Sequence, residues 1–269
     1  MADETISTAS STEEEIPLEQ IQNVFALRGK NVGCSVKLRG KVVLIAFLIN
    51  DGESQWDAAS QAIFADGLKQ TASFLMHTSG LSRQDLDIAY TYCQVTVPYP
   101  VENRNSRRFV QDVLRQFGYE DVQSYQRHYE SKFARDEACI SFVFNKKFRS
   151  YAVKISAEQV SEQEDPTGNE YSIVSFNPKD SADSQRTFIH ELMHQFGAID
   201  FYYPEKVKLE AEQHLPNSIM NSGNSIDPLT RYVIGWDDEL SQEAKSFLQA
   251  VSQIPMAEIT CAAREQWLD

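Results

Sequence analysis

Residues 41–49 are apolar at nearly every position, from Val42 to Ile49. A strand with one wet face alternates polar and apolar side chains. An unbroken run predicts a strand buried on both faces of a parallel sheet. Asn50-Asp51-Gly52 follows as a turn signal. A helix is predicted over about 54–78, with Trp56, Ala59, Ile63, Leu68 and Leu75 near one face and a stop at Gly80. A second strand over 88–97, closed by Pro98, completes a strand–helix–strand unit of the usual right-handed kind. Residues 106–117 read as an amphipathic helix with Phe109, Val110, Val113, Leu114 and Phe117 inward, and 122–133 as a more polar one. Strands follow over 138–144 and 150–155, joined by Asn145-Lys146-Lys147 as a hairpin. A polar loop over 157–170 leads to a last strand over 171–176. Beyond residue 200 there is little regular signal until a final helix over 238–252.

The stretch after the last strand carries the chemistry. Phe188, Ile189, Leu192, Met193 and Phe196 recur at helical spacing beside His190-Glu191-Leu192-Met193-His194. Asp180, Ser181 and Asp183 stand upstream as possible N-caps. Positions i and i+4 share a helix face, so the two imidazoles can converge on one ion, while Glu191 can reach a water beside it. Gly197 suits a left-handed turn at the helix end, which would return Asp200 towards the histidines as a third ligand. Three protein ligands and an open position describe a catalytic zinc site. Two histidines at this spacing can also be merely exposed on a helix; Gly197 and Asp200 are what separate the two readings. His214, Glu210 and Glu212 are rival third ligands, the glutamates as in thermolysin-like enzymes.

Composition narrows the rest. At 269 residues, 42% of them apolar, the chain can build a substantial core. A net charge of −14 argues against a nucleic-acid partner; it suits solubility and an attraction for basic peptides. Residues 1–20, rich in Glu, Ser and Thr, read as a disordered leader. No signal-peptide pattern opens the chain, and 42–49 is too short to span a bilayer. The chain as given therefore reads as cytoplasmic, or as secreted if its N-terminus has been trimmed. Cys34, Cys93, Cys139 and Cys261 are dispersed, with no C-x-x-C pair, and two lie in predicted strands as buried free thiols.

With those residues in view, the chain resembles the metzincin clan of zinc metallopeptidases, whose pattern is H-E-x-x-H-x-x-G-x-x-[HD] followed by a tight turn bearing Met. Here the resemblance rests on His190, Glu191, His194, Gly197 and Asp200, and on Asn217-Ser218-Ile219-Met220-Asn221-Ser222-Gly223. It is specific over about 187–236 and only architectural over 40–180. It implies one Zn²⁺ per chain held by His190, His194 and Asp200, with Met220 as the Met-turn methionine. Met220 on its own could equally be a core gap-filler.

The implied fold is α+β (α/β-like). It has a mixed, mostly parallel five-stranded twisted sheet with strands near 42, 88, 138, 150 and 171, then the active-site helix. A small irregular C-terminal subdomain ends in a helix. Residues 21–269 would form a single catalytic domain, upper part 36–200 and lower part 201–269. Asp as third ligand is the choice of a small bacterial branch resembling snapalysin. Many relatives carry Tyr two residues after the Met, where this chain has Ser222; Tyr232, Tyr202 and Tyr203 are substitutes for that auxiliary role. The resemblance implies a zinc endopeptidase acting on a peptide or protein substrate, with Glu191 as general base. A non-catalytic peptide-binding module on the same fold, with structural zinc, is the alternative, and a zinc hydrolase acting on another amide is a third.

Overall fold

The computed structural model of the protein describes residues 35, 37–102, 106–153 and 170–254. The leader, Cys34, Cys261 and nearly all of the loop expected over 157–170 lie outside the described residues. The order is β1 (Gly40–Asn50), α1 (Ala58–Leu81), β2 (Leu86–Thr96), α2 (Ser106–Arg115), α3 (Val122–Phe133), β3 (Glu137–Phe144), β4 (Tyr151–Val153) and β5 (Tyr171–Ser175). A 3₁₀ turn (Pro178–Asp180) leads into α4 (Ser181–Gln195), α5 (Glu205–His214), α6 (Pro228–Val233) and α7 (Gln242–Ser252). The five strands form one sheet in the order β2-β1-β3-β5-β4. Only β4 runs antiparallel, along β5. No helix among the described residues is long and apolar enough to cross a membrane.

The apolar run over 42–49 behaves as its pattern requires. Val42, Leu44, Ala46 and Leu48 face one core with α1, α4 and the C-terminal helices. Val43, Ile45, Phe47 and Ile49 face the other, under α2 and α3. All eight are at most 2% exposed, so the strand is sandwiched and the sheet has helices on both sides. Cys93 and Cys139 are free thiols, the second fully buried.

Five sequence expectations are corrected. β3 and β4 are not a hairpin. β3 lies between β1 and β5, parallel to both, and β4 reaches the far side of β5. A strand buried on both faces takes parallel neighbours on both edges, which leaves no edge for a hairpin partner. Secondly, α1 begins only at Ala58, with Asp57 as its N-cap. Residues 54–56 are recruited into a turn instead, Ser54 Oγ donating to Ile49 O and Trp56 N to Asn50 Oδ1. Thirdly, α1 runs through Gly80 to Leu81, and Arg83 takes the left-handed conformation after it. Fourthly, the region beyond 200 is not irregular, since it contains α5 and α6. α5 buries only Val207 and Ala211, too few apolar positions to register as a periodicity. Phe117, expected inward on α2, lies past its end and is 39% exposed, though its ring still packs on Phe47.

A buried ion pair fixes the segment between β3 and β4. The Asp51 side chain is fully buried and accepts from the backbone N–H groups of Glu53, Ser54 and Val101. Lys146 Nζ approaches it to 2.5 Å and also donates to Val101 O. Burial pushes the Asp51 carboxyl up, but Lys146 and the backbone donors of Ser54 and Val101 outweigh it and hold the pKa below the ordinary value. With the folded pKa depressed, this stabilisation is present above the unfolded pKa of about 3.9 and is lost as pH falls through the folded value. Asp51→Asn should therefore cost roughly 2–3 kcal/mol at pH 7, because the mostly buried Lys146 ammonium keeps only the exposed Glu53 carboxylate as a charged partner. The gap from the unmodified protein should narrow on acidification below pH ~4. Urea melts across that range check this, and a gap independent of pH would contradict it.

Candidate metal centre

α4 is anchored before it can present anything. Phe188, Ile189, Leu192, Met193 and Phe196 are all buried, the apolar flank expected from their spacing. Phe188 packs on Phe64 of α1, which also meets Trp56 and Phe176. Gln195 Nε2 donates to Ile140 O and to Ser172 Oγ, pinning the C-terminal turn to the sheet. Asp180 occupies the N-cap position without a side-chain cap bond; Asn177 instead caps the 3₁₀ turn that feeds the helix. At the other end Gly197 has φ 91°, the left-handed turn expected there, and Ala198 N returns to Met193 O.

That turn brings Asp200 back. Its Oδ1 lies 3.0 Å from His190 Nε2 and 3.1 Å from His194 Nε2, and the two Nε2 atoms are 3.0 Å apart. The rings are fixed from behind. His190 Nδ1 donates to Ile219 O and His194 Nδ1 to Ala198 O, each at 2.8 Å. A carbonyl can only accept, so the proton of each neutral ring sits on Nδ1 and Nε2 offers a lone pair. Two lone pairs and a carboxylate oxygen thus converge in a buried spot with no proton of their own between them. Such an arrangement is repulsive unless positive charge, either a ring proton shared with Asp200 or a metal ion, sits there. The charge balance responds accordingly. Burial pulls the His190 pKa down, yet Asp200 reverses this and takes it up to about 9. Burial pushes Asp200 up, but the two histidines hold it well below the usual carboxylate range.

The donor set fits zinc. Bonds of about 2.0–2.2 Å in tetrahedral array place donor atoms roughly 3.3–3.5 Å apart, and the observed triangle is only a few tenths of an ångström tighter. Its backing carbonyls are the outer partners that metal-bound imidazoles use to fix their tautomer. Glu191 belongs to the same group, its carboxylate within 4.8 Å of the His190 and His194 ligand atoms. It is 4% exposed, and its Oε2 has no hydrogen-bond partner among the described residues. Burial raises its pKa, against the pull of His194 and His190.

The rival ligands are elsewhere. His214 faces Glu210 on its own helix, and Glu212 faces Lys208. Of the three tyrosines, Tyr202 lines the cleft over the site and hydrogen-bonds Asp200, its ring 6.4 Å from that of His190. Tyr203 is 40% exposed, and neither it nor Tyr232 lines the cleft; Tyr232 packs against the core instead. The cleft measures about 1010 Å³ and also takes in Arg149, Ser150 and Asn221.

Residues 217–225 form the tight turn expected around Met220. Ser225 N bonds Asn217 O, and Gly223 N bonds Ser218 O. A Cβ on Gly223 would fall 2.0 Å from the Asn217 carbonyl carbon, so this position admits only glycine. Met220 is fully buried in the core, and its carbonyl accepts from Phe201 N at 2.8 Å, tying the turn to the residue after Asp200. Sequence reasoning missed what holds the turn from below. Buried Asp227 accepts from Ser218 Oγ, which in turn accepts from Met220 N. The Asp227-Pro228 pair was the available signal, as an N-cap followed by Pro at N1. The roles of Ile219 O and Ala198 O left no signal, because a carbonyl belongs to every residue.

No protein-family model matches this chain, and no curated protein matches it at a significant level. The structure alone carries the argument. Asp200→Ala should lower zinc affinity by more than the roughly 10–100-fold that loss of an outer-shell partner costs, with the helix intact by circular dichroism. Isothermal titration with zinc checks this, and unchanged affinity would place the third ligand elsewhere.

Proposed function

We propose that this protein is a zinc-dependent endopeptidase of the metzincin type. The observation that carries the proposal is the triangle of His190 Nε2, His194 Nε2 and Asp200 Oδ1, 3.0–3.1 Å on a side, with Glu191 beside it at the floor of a large cleft. His190, His194 and Asp200 would hold the zinc, which when bound would supply Lewis acidity and make water nucleophilic near neutral pH.

The protein's own groups do the rest. Glu191, with one carboxylate oxygen unpartnered, takes the proton from the attacking water and returns it to the leaving amine nitrogen. Tyr202, two residues after Asp200, holds the Asp200 carboxylate in place by its hydrogen bond and sets its ring along His190. β4 is the edge strand of the sheet, and Arg149 and Ser150 just before it line the cleft. An extended peptide docks along that edge by strand addition, which needs only backbone hydrogen bonds and so admits many sequences. The turn at Asn221 and Ser222 closes the opposite wall. The Met220 turn and the Asp ligand are what support the metzincin type within zinc hydrolases.

Glu191→Gln should keep one zinc per chain and lose at least about 100-fold in cleavage rate, the scale of a lost general base. Metal analysis beside a peptide-library digest, with and without chelator, measures both. Full chelator-sensitive cleavage by the variant would refute the role of Glu191. A wild-type protein that binds zinc and peptides but cleaves none would be the non-catalytic binding module.

A further inference from the structure

At the edge of the sheet opposite β4, β2 has β1 as its one neighbouring strand. Gly40 N donates to Asp85 O, and Val97 N donates to Asn50 O. At both ends, then, odd-numbered residues turn their backbone groups towards β1. The register runs unbroken from Leu86 to Thr96, so the even-numbered residues turn theirs outward along the whole strand. Two of these outward groups are already taken. Ile88 N donates to Met76 Sδ, and Thr96 O accepts from Gln116 Nε2. The groups between them, from Ile88 O through Tyr90, Tyr92 and Gln94 to Thr96 N, have no backbone partner among the described residues. Long edges are ordinarily blunted by charge, proline or a bulge. Residues 88–97 contain no charged residue and no proline, and Tyr90 and Tyr92 are 39% and 37% exposed.

The open groups are symmetric about Tyr92. Reversing the strand exchanges each donor for an acceptor at the mirrored position, so this edge is complementary to itself in antiparallel register. Tyr92 meets Tyr92 of a second copy, Tyr90 meets Gln94, and Thr96 N reaches Ile88 O. Ile88 N and Thr96 O, the two groups already taken, are the ones that would have paired with each other. We infer that β2 is a homodimer interface, in which a second copy adds its own β2 antiparallel about a two-fold axis at Tyr92. The interface is isologous, and it leaves β4 free at the far edge. Charge permits it. Each copy carries −14, yet identical strands in this register set no like charges opposite each other. Asp87, just beyond the open stretch, is already paired with Arg135. Residues 88–96 are fewer than the roughly 20–30 a side of a standard interface, so the dimer is weak, with a Kd on the order of 1–100 μM.

Sedimentation velocity on the full-length protein from about 1 to 200 μM should show a reversible monomer–dimer equilibrium in that range. Tyr92→Lys sets two ammonium groups opposite each other and should weaken the dimer at least about fivefold. Mixing it with Tyr92→Glu should restore association. Thr91→Cys would face Cys93 of the second copy across a non-hydrogen-bonded pair, about 4.5 Å apart at Cα and within disulfide reach. Mild oxidation should cross-link that variant, and adding Cys93→Ser should abolish the cross-link. A protein that stays monomeric throughout, as it would if its own N-terminal residues covered β2, overturns the inference. So does a dimer indifferent to both Tyr92 substitutions, or a Thr91→Cys variant without the Cys93-dependent cross-link.

Discussion

Three donor atoms crowd into one small volume and need positive charge between them. The imidazole nitrogens of His190 and His194 and one oxygen of Asp200 meet at 3.0–3.1 Å. Without a proton or a metal ion between them that contact would cost energy, and the surrounding structure holds the three groups in place. Each ring is locked by a backbone carbonyl at 2.8 Å. The aspartate is delivered by a left-handed glycine and fastened one residue later, where Phe201 N bonds Met220 O. Such a convergence can hold a metal ion.

The remainder of the fold is support for that point. The sandwiched strand β1 gives the sheet two buried faces, and the aromatic cluster around Phe64 fixes α4 against one of them. The polar link from Gln195 to Ser172 and Ile140 prevents the helix from sliding along the sheet. From the other side, the chain Asp227–Ser218–Met220 sets the turn whose Ile219 carbonyl orients His190. Burial pushes the Asp227 carboxyl up in spite of its donors from Thr230, Ser218 and Leu229. A buried group so enclosed specifies one turn conformation and no other. Arg186 adds a direct tie between the helix and the turn by donating to Ser222 O.

Much of this was legible in the residues. The apolar run over 42–49 announced a doubly buried strand, and the flank Phe188 to Phe196 announced the face on which α4 is seated. That His190, His194 and Asp200 could meet was legible in their spacing and in Gly197, with His214, Glu210 and Glu212 still open as rivals to Asp200. Pairing was less legible: the strand near 150 looked like a hairpin partner of β3 because it is its neighbour in sequence. Its true partner is β5, some twenty residues further on, and no local pattern encodes that choice. α5 escaped because its buried surface is two residues wide. Tyr202 could not be told from Tyr203 by sequence, since adjacent residues point in different directions only once the backbone is fixed.

The most direct test is X-ray absorption spectroscopy on the zinc-loaded full-length protein. The account predicts one zinc per chain with two imidazole nitrogens and a carboxylate oxygen at about 2.0–2.2 Å and one further light-atom ligand from solvent. A spectrum with thiolate ligation, or with fewer than two imidazoles, would contradict it.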